Sequence, residues 1–138
     1  MTNDYYPRRI ILDNMQGGIT MHLTIAERKV METVWNGGDM TAKEIAAALK
    51  ESAQWSKTTS YTMITRCVEK GYLLRQDPHY VCVAKVSREE VSRWETEELL
   101  ENNFSGSADL LVAALVDQKK LSKKDIEKLS KLVEEIED

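Results

Sequence analysis

The sequence predicts a mainly α-helical chain with one small β-hairpin. Three observations predict this class. Apolar residues recur at helical spacing in six segments, a Thr or Ser stands before each segment as a helix cap, and two short β-prone runs flank an Asp-Pro turn. With 138 residues, the chain is long enough for one domain or for a small domain with an appendage.

The composition is that of an ordinary soluble protein, with 42% hydrophobic and 30% charged residues. No apolar run approaches the roughly 20 residues that a membrane helix needs, and residues 1–7 lack the pattern of a signal peptide. We therefore expect a cytoplasmic protein without membrane insertion. Cys67 and Cys82 have no close partner and no neighbouring His cluster, so we interpret them as reduced structural thiols.

The formal net charge of −4 is unevenly distributed along the chain. Residues 1–86 carry 11 Lys and Arg against 9 Asp and Glu, whereas residues 87–138 carry 8 against 14. Between Lys57 and Arg75, four basic residues are accompanied by a single acidic one, Glu69. A local basic patch of this kind permits binding to phosphates, while the acidic half would face away.

The first two predicted helices begin after threonines that open capping boxes. Thr24 is followed three residues later by Glu27, and Thr41 is followed at the same spacing by Glu44. The second helix is short and rich in alanine, which lets another helix approach closely. Residues 1–22 show no consistent pattern, and we assign them to an N-terminal extension.

The third predicted helix runs from a cap at Ser56 to Gly71, which suits the left-handed residue that ends a helix. Helical spacing predicts an inner face of Ser60, Met63, Ile64, Cys67 and Val68. It predicts an outer face of Thr58, Thr62 and Thr65, flanked by Tyr61 and Arg66. Short hydroxyls, a phenol and a guanidinium can donate hydrogen bonds to phosphates or base edges. A Thr-rich face in solvent is the alternative interpretation.

After Gly71, two β-prone runs at residues 72–75 and 80–84 flank Asp77-Pro78 and predict a hairpin. A short alanine-rich helix followed by a capped third helix fits a helix-turn-helix. Three helices and a hairpin, in this order, predict a winged-helix domain over residues 23–86. We expect Arg75, near the tip of the hairpin, to reach the nucleic-acid backbone from this wing.

Residues 87–138 are predicted to form three further helices, of which the segment 108–116 is apolar nearly all round. Helices of this kind bury too little surface to stand alone. We interpret the region as a helical dimerisation domain whose apolar surface is covered by a second copy. Antiparallel packing onto the winged helix of the same chain is the alternative. The predicted interface residues are Val91, Trp94, Leu99, Leu111, Leu115, Ile126, Leu129 and Val133.

With these elements in place, the chain resembles the BlaI/MecI/CopY family of bacterial repressors, which includes the penicillinase and methicillin-resistance repressors. The resemblance covers residues 23–136, and three motifs at family spacing carry it. They are Leu23-Thr24-x-x-Glu27-x-x-Val30-Met31-x-x-x-Trp35, then Trp55-Ser56-x-x-Thr59-x-x-Thr62-Met63-Ile64-x-Arg66, and late in the chain Leu121-Ser122-x-x-Asp125-Ile126-Glu127-x-Leu129.

The resemblance implies a homodimer that represses transcription by occupying palindromic operators in double-stranded DNA. The residues that match recognition positions in the family are Thr59, Thr62 and Arg66, and those that match variable positions are Lys57, Thr58 and Tyr61. Ser60 departs from the family, in which a branched apolar residue is usual. The full set of predicted DNA-binding residues is Thr41, Ser56, Lys57, Thr58, Thr59, Tyr61, Thr62, Thr65, Arg66 and Arg75.

The resemblance also bears on how repression is relieved. In the antibiotic-responsive branch, a membrane-bound sensor protease signals cleavage of the repressor at an Asn-Phe bond. The aligned residues here are Ala114 and Leu115, a departure that weakens the expectation of proteolytic release. In the copper-responsive branch, release depends on a C-terminal cysteine cluster, which residues 133–138 lack, so we expect no direct metal sensing. The inducing signal stays open.

Two other function classes compete with a repressor. A winged-helix protein-interaction module that does not bind DNA is favoured by the overall acidity, and binding to promoter DNA would separate the two. An enzyme is not predicted, because the sequence has no nucleophile–base pair, phosphate loop or metal-ligand spacing. For the same reason we expect no cofactor and no metal.

Overall fold

The computed structural model describes residues 22–136, and the helices and strands in that range divide into two compact units, one ending at Glu95 and the other beginning at Thr96. In chain order the elements are α1 (Ile25–Gly37), β1 (Met40–Thr41), α2 (Ala42–Ala53), α3 (Lys57–Glu69), β2 (Leu73–Gln76), β3 (Val81–Ala84), α4 (Arg88–Phe104), α5 (Ala108–Asp117) and α6 (Lys123–Glu134). Most of the prediction for residues 1–22 lies outside the described residues. None of the helices in the described range is long and apolar enough to cross a bilayer.

Short-range side-chain hydrogen bonds fix where the helices begin. At α1, Thr24 Oγ1 accepts from the Glu27 amide at 3.1 Å, and Glu27 Oε1 accepts from the Thr24 amide at 2.9 Å. Thr41 and Glu44 form the same capping box at α2. Each box satisfies two amides that would otherwise lack a partner in the first turn. The capping boxes predicted from the sequence are therefore confirmed.

The cap predicted for α5 is wrong in one detail. Ser107 precedes the helix as expected, but its side chain makes no hydrogen bond to the first-turn amides. The hydroxyl of Ser107 instead donates to the carboxylate of Asp109. Asp109 lies in the first turn of α5, so this hydrogen bond keeps the Ser107 side chain at the helix start although no first-turn amide donates to it.

The three strands form an antiparallel sheet in the order β1-β3-β2. The hairpin of β2 and β3 is confirmed, with Leu73 opposite Ala84 and Gln76 opposite Val81. Strand β1 was not predicted, because two residues are too few to show an alternating pattern. It forms where the chain enters α2, and the Ala42 amide next to it donates to the Tyr80 carbonyl at 2.9 Å.

The hydrophobic core of the first unit lies between the three N-terminal helices and the sheet. Its fully buried members are Leu23, Val30, Met31, Val34, Ala42, Ile45, Leu49, Ile64, Cys67, Tyr72, Leu73, Cys82, Val86 and Val91. Helix α3 contacts α1, α2 and β2 through this core. The core therefore fixes one face of α3 and leaves the opposite face to solvent.

The first turns of α4 belong to the first unit. Val91 is only 1% exposed and lies in the core. Around it, Arg88 donates to Glu32 of α1 at 2.6 Å, and Arg28 of α1 pairs with Glu95 of α4. This part of α4 is thus held on α1 by one buried side chain and two ion pairs, which changes the role predicted for Val91.

The second unit keeps many of its apolar side chains at the surface of the single chain. Neither α5 nor α6 contains a fully buried residue. Leu110, Val112 and Val116 of α5 are 48%, 45% and 54% exposed, although the sequence predicts burial of this segment. The single chain does not supply that burial.

Candidate nucleic-acid interface

Helix α3 presents two chemically different faces. Ser60, Ile64 and Cys67 are fully buried, and Met63 and Val68 pack against the same core from a half-buried position. The residues of the outer face that are exposed are Lys57, Thr58, Thr59, Thr62, Thr65 and Arg66, and Tyr61 beside them is half-buried. The orientation predicted for this helix is confirmed.

The outer face of α3 lines a shallow depression of about 570 Å³. It is lined by Lys57, Thr58, Tyr61, Thr62, Thr65, Arg66 and Glu69. All of these except Glu69 belong to the predicted DNA-binding set. Two cations against one carboxylate give the surface a positive balance, which suits a phosphate-bearing ligand.

Hydrogen bonds at the start of α3 determine what its hydroxyls can offer a ligand. Ser56 Oγ accepts from the Thr59 amide at 3.1 Å and donates to Thr59 Oγ1 at 3.0 Å. Thr62 Oγ1 donates to the Thr58 carbonyl at 2.9 Å. Because a hydroxyl has one proton and two lone pairs, Thr62 presents an acceptor and a methyl group outward in this conformation.

Thr41 is engaged in the cap of α2. Its hydroxyl accepts from the Glu44 amide at 3.1 Å and lies 3.2 Å from Glu44 Oε1. The side chain is therefore committed to the helix start. An anion at this position would instead meet the positive N-terminal end of α2, where the first backbone amides point toward Thr41.

The tip of the hairpin positions Arg75. Its Nε donates to Asp77 Oδ1 at 3.0 Å, and its guanidinium carbon lies 3.7 Å from the centroid of the Tyr80 ring. The hydrogen bond to Asp77 raises the pKa of Arg75 above its already high usual value. Arg75 is therefore a permanent cation, and it is exposed beside the outer face of α3.

Tyr80 connects the hairpin to α3, and sequence reasoning missed it as a site residue. Its ring meets the Tyr61 ring edge-on, with centroids 6.3 Å apart and an interplanar angle of 80°. Its hydroxyl lies 3.5 Å from Thr65 Oγ1. We call Arg75, Tyr80 and Tyr61 the aromatic bridge. The predicted hairpin could have indicated the contact between Arg75 and Tyr80, since residues that flank a tight turn lie close together.

An ion pair anchors the far end of α3. Lys70 Nζ lies 2.7 Å from Glu27 Oε2, and the Glu27 side chain is completely buried whereas that of Lys70 is 40% exposed. Burial alone would raise the pKa of Glu27, but the hydrogen bonds from Lys70 and Thr24 outweigh it and hold that pKa below its usual value. The pair ties the start of α1 to the end of α3.

The two cysteines are buried free thiols. Burial raises the pKa of Cys67 to about 12 and that of Cys82 to about 11. Both are uncharged at neutral pH and therefore poor nucleophiles and metal ligands. Across residues 22–136, no three His, Cys, Asp or Glu side chains are grouped so that they could hold a metal ion.

The residues predicted for the dimer interface lie in different environments. Val91 is in the core of the first unit, and Trp94 is half-buried against that core. Leu111 and Leu115 of α5 are half-buried, as is Ala114 of the predicted cleavage site. The exposed members are Leu99, Ile126, Leu129 and Val133. Because Val91 is already covered within one chain, we leave it out of the interface.

A three-helix core with a hairpin and an exposed helix face of hydroxyls and cations defines a class, the winged-helix transcription regulators. Sequence comparison then identifies the family. The chain belongs to the penicillinase repressor family, whose profile matches residues 23–135. This confirms the family to which the sequence motifs pointed.

Individual relatives are similar over most of the chain. The methicillin resistance regulatory protein MecI of Staphylococcus aureus (strain N315) is 24% identical over 116 residues, which are 83% of this chain and 94% of that protein. The penicillinase repressor of Bacillus licheniformis is 23% identical, with coverage of 80% and 88%. An uncharacterised 16.5 kDa protein in the ptsI 3' region of Latilactobacillus sakei is 30% identical, with coverage of 83% and 80%. Among solved structures, the DNA-binding domain of the repressor BlaI is 23% identical with a TM-score of 0.48, over 51% of this chain and 89% of that one.

Family membership decides between the function classes weighed from the sequence. Members of this family are transcriptional repressors and not enzymes. The chain is accordingly a winged-helix transcriptional repressor, as predicted. The interaction module without DNA binding is the less supported interpretation.

Proposed function

We propose that this repressor acts in the cytoplasm as a homodimer that binds a palindromic operator in double-stranded DNA and blocks transcription by occupying the promoter. One observation carries the proposal. The core fixes the inner face of α3, so the helix presents Lys57, Thr58, Thr62 and Arg66 together on one exposed surface. A rigid helix with short polar side chains and cations fits the major groove.

Phosphates are held around the edges of this surface. The first-turn amides of α3, behind Ser56, and those of α2, behind Thr41, supply donors at the positive ends of two helices. Lys57 and Arg66 add exposed cations near the start and the end of the groove-facing surface. Arg75 approaches a flanking phosphate from the hairpin.

Bases are read by the outward side chains in the middle of α3. Thr62 offers a methyl group and an acceptor, because its hydroxyl proton is directed to the Thr58 carbonyl. Such a group favours a thymine methyl or an amino group of adenine or cytosine over a carbonyl acceptor. The other proposed base-reading residues are Thr58, Thr59, Tyr61 and Thr65.

The second unit supplies the dimer contact. Within the described residues, large apolar side chains of α4, α5 and α6, and that of Ile136 just after α6, are 41–67% exposed. They are Leu99, Leu110, Val112, Val116, Ile126, Leu129, Leu132, Val133 and Ile136. A second copy is the occupant that a palindromic operator requires, since each half-site takes one winged helix. Linking two weak half-site contacts raises the overall affinity without any new contact to DNA.

Release of repression through a membrane sensor protease is proposed on family membership alone, since Ala114-Leu115 stands where the antibiotic-responsive branch has an Asn-Phe bond. Ala114 and Leu115 lie inside α5, where their backbone is part of the helix. A protease binds its substrate in an extended conformation, so α5 must open locally before cleavage. Incubating the full chain with a protease that cuts after small or apolar residues should give fragments ending at this bond only under conditions that loosen α5.

A gel-shift experiment tests the DNA contact. The full chain is expected to bind a duplex from the region upstream of its own gene in preference to a shuffled duplex of the same composition. The substitution Thr62→Glu places a carboxylate on the groove-facing surface and should lower affinity more than tenfold, because like charges repel at the phosphates.

The control variant is Thr33→Glu. Thr33 lies on α1, outside the depression on α3, and its hydroxyl donates to the carbonyl four residues earlier at 2.8 Å, as that of Thr62 does at 2.9 Å. The two substitutions thus change helix propensity and net charge equally. Equal affinity of both variants, or no binding by the wild-type chain at low ionic strength, would refute the proposed contact.

A further inference from the structure

The geometry points to Tyr80 as the positioning residue that holds Arg75 of the wing in register with the groove-facing side of α3. This inference rests on the proposed function, because it assigns a role within the same DNA-binding surface. Tyr80 lies outside the depression on α3 and was not among the predicted DNA-binding residues. The assignment rests on the contacts of Tyr80 with Arg75 of the hairpin and with two residues of α3.

The first contact is with Arg75. The guanidinium stacks on the Tyr80 ring at 3.7 Å from carbon to centroid, and Asp77 accepts from Nε at 3.0 Å. A guanidinium has five N–H donors, and Asp77 takes only the one on Nε, so donors remain that can reach a phosphate while the face of the group rests on the Tyr80 ring. Both contacts restrict a side chain that would otherwise sample many rotamers.

The second contact is with α3. The Tyr80 ring meets Tyr61 edge-on, and its hydroxyl lies 3.5 Å from Thr65 Oγ1. Tyr61 and Thr65 both line the depression on the outer face. One ring therefore touches the wing cation on its face and two groove-facing residues at its edge and tip.

The backbone of Tyr80 is also fixed. Its carbonyl accepts from the Ala42 amide at 2.9 Å, at the start of α2. Its φ of 54° lies in the left-handed region, which is uncommon for a residue other than Gly, Asn or Asp. Glycine would suit this backbone better, so what tyrosine contributes here is its ring.

These contacts have a mechanical consequence. Without the ring, Asp77 alone would hold Arg75, and an ion pair between exposed side chains restrains little. With the ring, the wing cation and α3 keep a fixed separation before DNA arrives. Preorganisation of this kind raises affinity because less freedom is lost on binding.

The test is a double-mutant cycle on full-length protein, with binding to the upstream duplex measured over a series of salt concentrations. Tyr80→Ala is expected to weaken binding about two- to fivefold, the range for an exposed cation–aromatic contact. It should also lower the salt slope toward that of Arg75→Ala, by about one unit. The double variant is expected to bind as Arg75→Ala does, since Tyr80 acts through Arg75.

Two further variants of Tyr80 separate positioning from folding. Tyr80→Phe keeps the ring face under Arg75 and the edge contact with Tyr61 and loses only the long hydroxyl contact to Thr65, so it should keep the wild-type salt slope and bind more tightly than Tyr80→Ala. Tyr80→Leu keeps apolar bulk without an aromatic face and should behave as Tyr80→Ala. Because Leu fills the space of the ring, this variant also tests the inference if Tyr80→Ala fails to fold. His79→Ala, an exposed change in the same turn, is the matched control.

The inference is overturned if Tyr80→Leu binds with wild-type affinity and salt slope. It is also overturned if the fold-losses in affinity of Tyr80→Ala and Arg75→Ala multiply in the double variant, as they would for independent residues. In both cases Arg66→Ala still weakens binding, and the proposed function stands. If the wild-type chain and Arg66→Ala both fail to bind the duplex, the proposed function fails and the role of Tyr80 falls with it.

Discussion

Replacing Glu27 by glutamine removes one charge from the buried end of the helix bundle and changes little else. In Glu27→Gln the amide oxygen can still accept from the Thr24 amide, as Glu27 Oε1 does at 2.9 Å. The other half of the group changes from an acceptor at 2.7 Å from Lys70 Nζ to an amino group. Two donors then face each other beside the core.

The magnitude follows from the exposure of the two partners. Breaking a fully buried ion pair by removing one partner costs about 3–5 kcal/mol. The Lys70 side chain is 40% exposed and can turn to solvent, so its unpaired charge is not trapped. We therefore expect Glu27→Gln to lower the free energy of unfolding by about 1–2 kcal/mol at neutral pH.

The pH dependence identifies the cause. The pKa of Glu27 in the folded chain lies below its usual value of 4.5. As the pH falls, the unfolded chain therefore takes up a proton at Glu27 before the folded chain does. The ion pair contributes its full stabilisation above about pH 4.5, and this contribution is lost as the pH falls through the lowered pKa. The difference in stability between wild type and Glu27→Gln should shrink over the same interval.

Urea denaturation at fixed protein concentration measures this difference at about pH 7 and at a series of lower pH values, down to the acid limit of folding. The matched control is Glu44→Gln. Glu44 occupies the same capping-box position in α2 and accepts from the Thr41 amide at 2.9 Å, but it is exposed. The control should change stability by less than about 0.5 kcal/mol. A loss in Glu27→Gln that stays constant over the whole pH series, or that equals the loss in the control, would refute the role of the ion pair.

Three other side chains give predictions that single substitutions test. Ser60 Oγ is buried without a hydrogen-bond partner, so Ser60→Ala should raise the free energy of unfolding by about 1 kcal/mol in urea melts, and an unchanged or lower value would contradict this. Arg66→Ala should weaken DNA binding on every sequence and reduce the salt slope by about one unit, whereas Arg93→Ala, an exposed cation of α4, should leave the slope unchanged. Val133→Asp places a charge on a side chain that is 64% exposed in the single chain; sedimentation should show a monomer, and a stable dimer would remove this residue from the interface.

Patterns of short range in the sequence predicted most of the fold. Thr24 and Glu27 of the first capping box are three positions apart at the start of one helix. Whether the box forms therefore depends little on the rest of the fold. The faces of α3 follow in the same way from helical spacing. Gly71, with a φ of 85°, takes the left-handed conformation expected where the third helix ends.

Helical and strand spacing did not predict the contacts between elements that are distant in the sequence. The aromatic bridge depends on the rotamers of Tyr61 and Tyr80 and on the turn between β2 and β3, which place two rings together from separate elements. Val91 shows the same limit. Its spacing identifies an apolar edge on α4, but the spacing does not say that Val91 enters the core of the first unit or that Arg88 and Arg28 pair with Glu32 and Glu95 between α1 and α4.

An acidic chain can bind a polyanion when its charges are separated. The 138 residues carry a net charge of −4, yet the outer face of α3 and the hairpin offer Lys57, Arg66 and Arg75, with Glu69 the acidic residue that lines the depression. Asp77, at the hairpin, is paired with Arg75 and offsets part of this charge, so three cations stand against two carboxylates and the local balance is still positive. Charges more than about 10 Å apart are largely screened at physiological ionic strength, so the local balance governs contact with a phosphate and the total does not. The excess of Asp and Glu over residues 87–138 disfavours direct binding of that part of the chain to DNA.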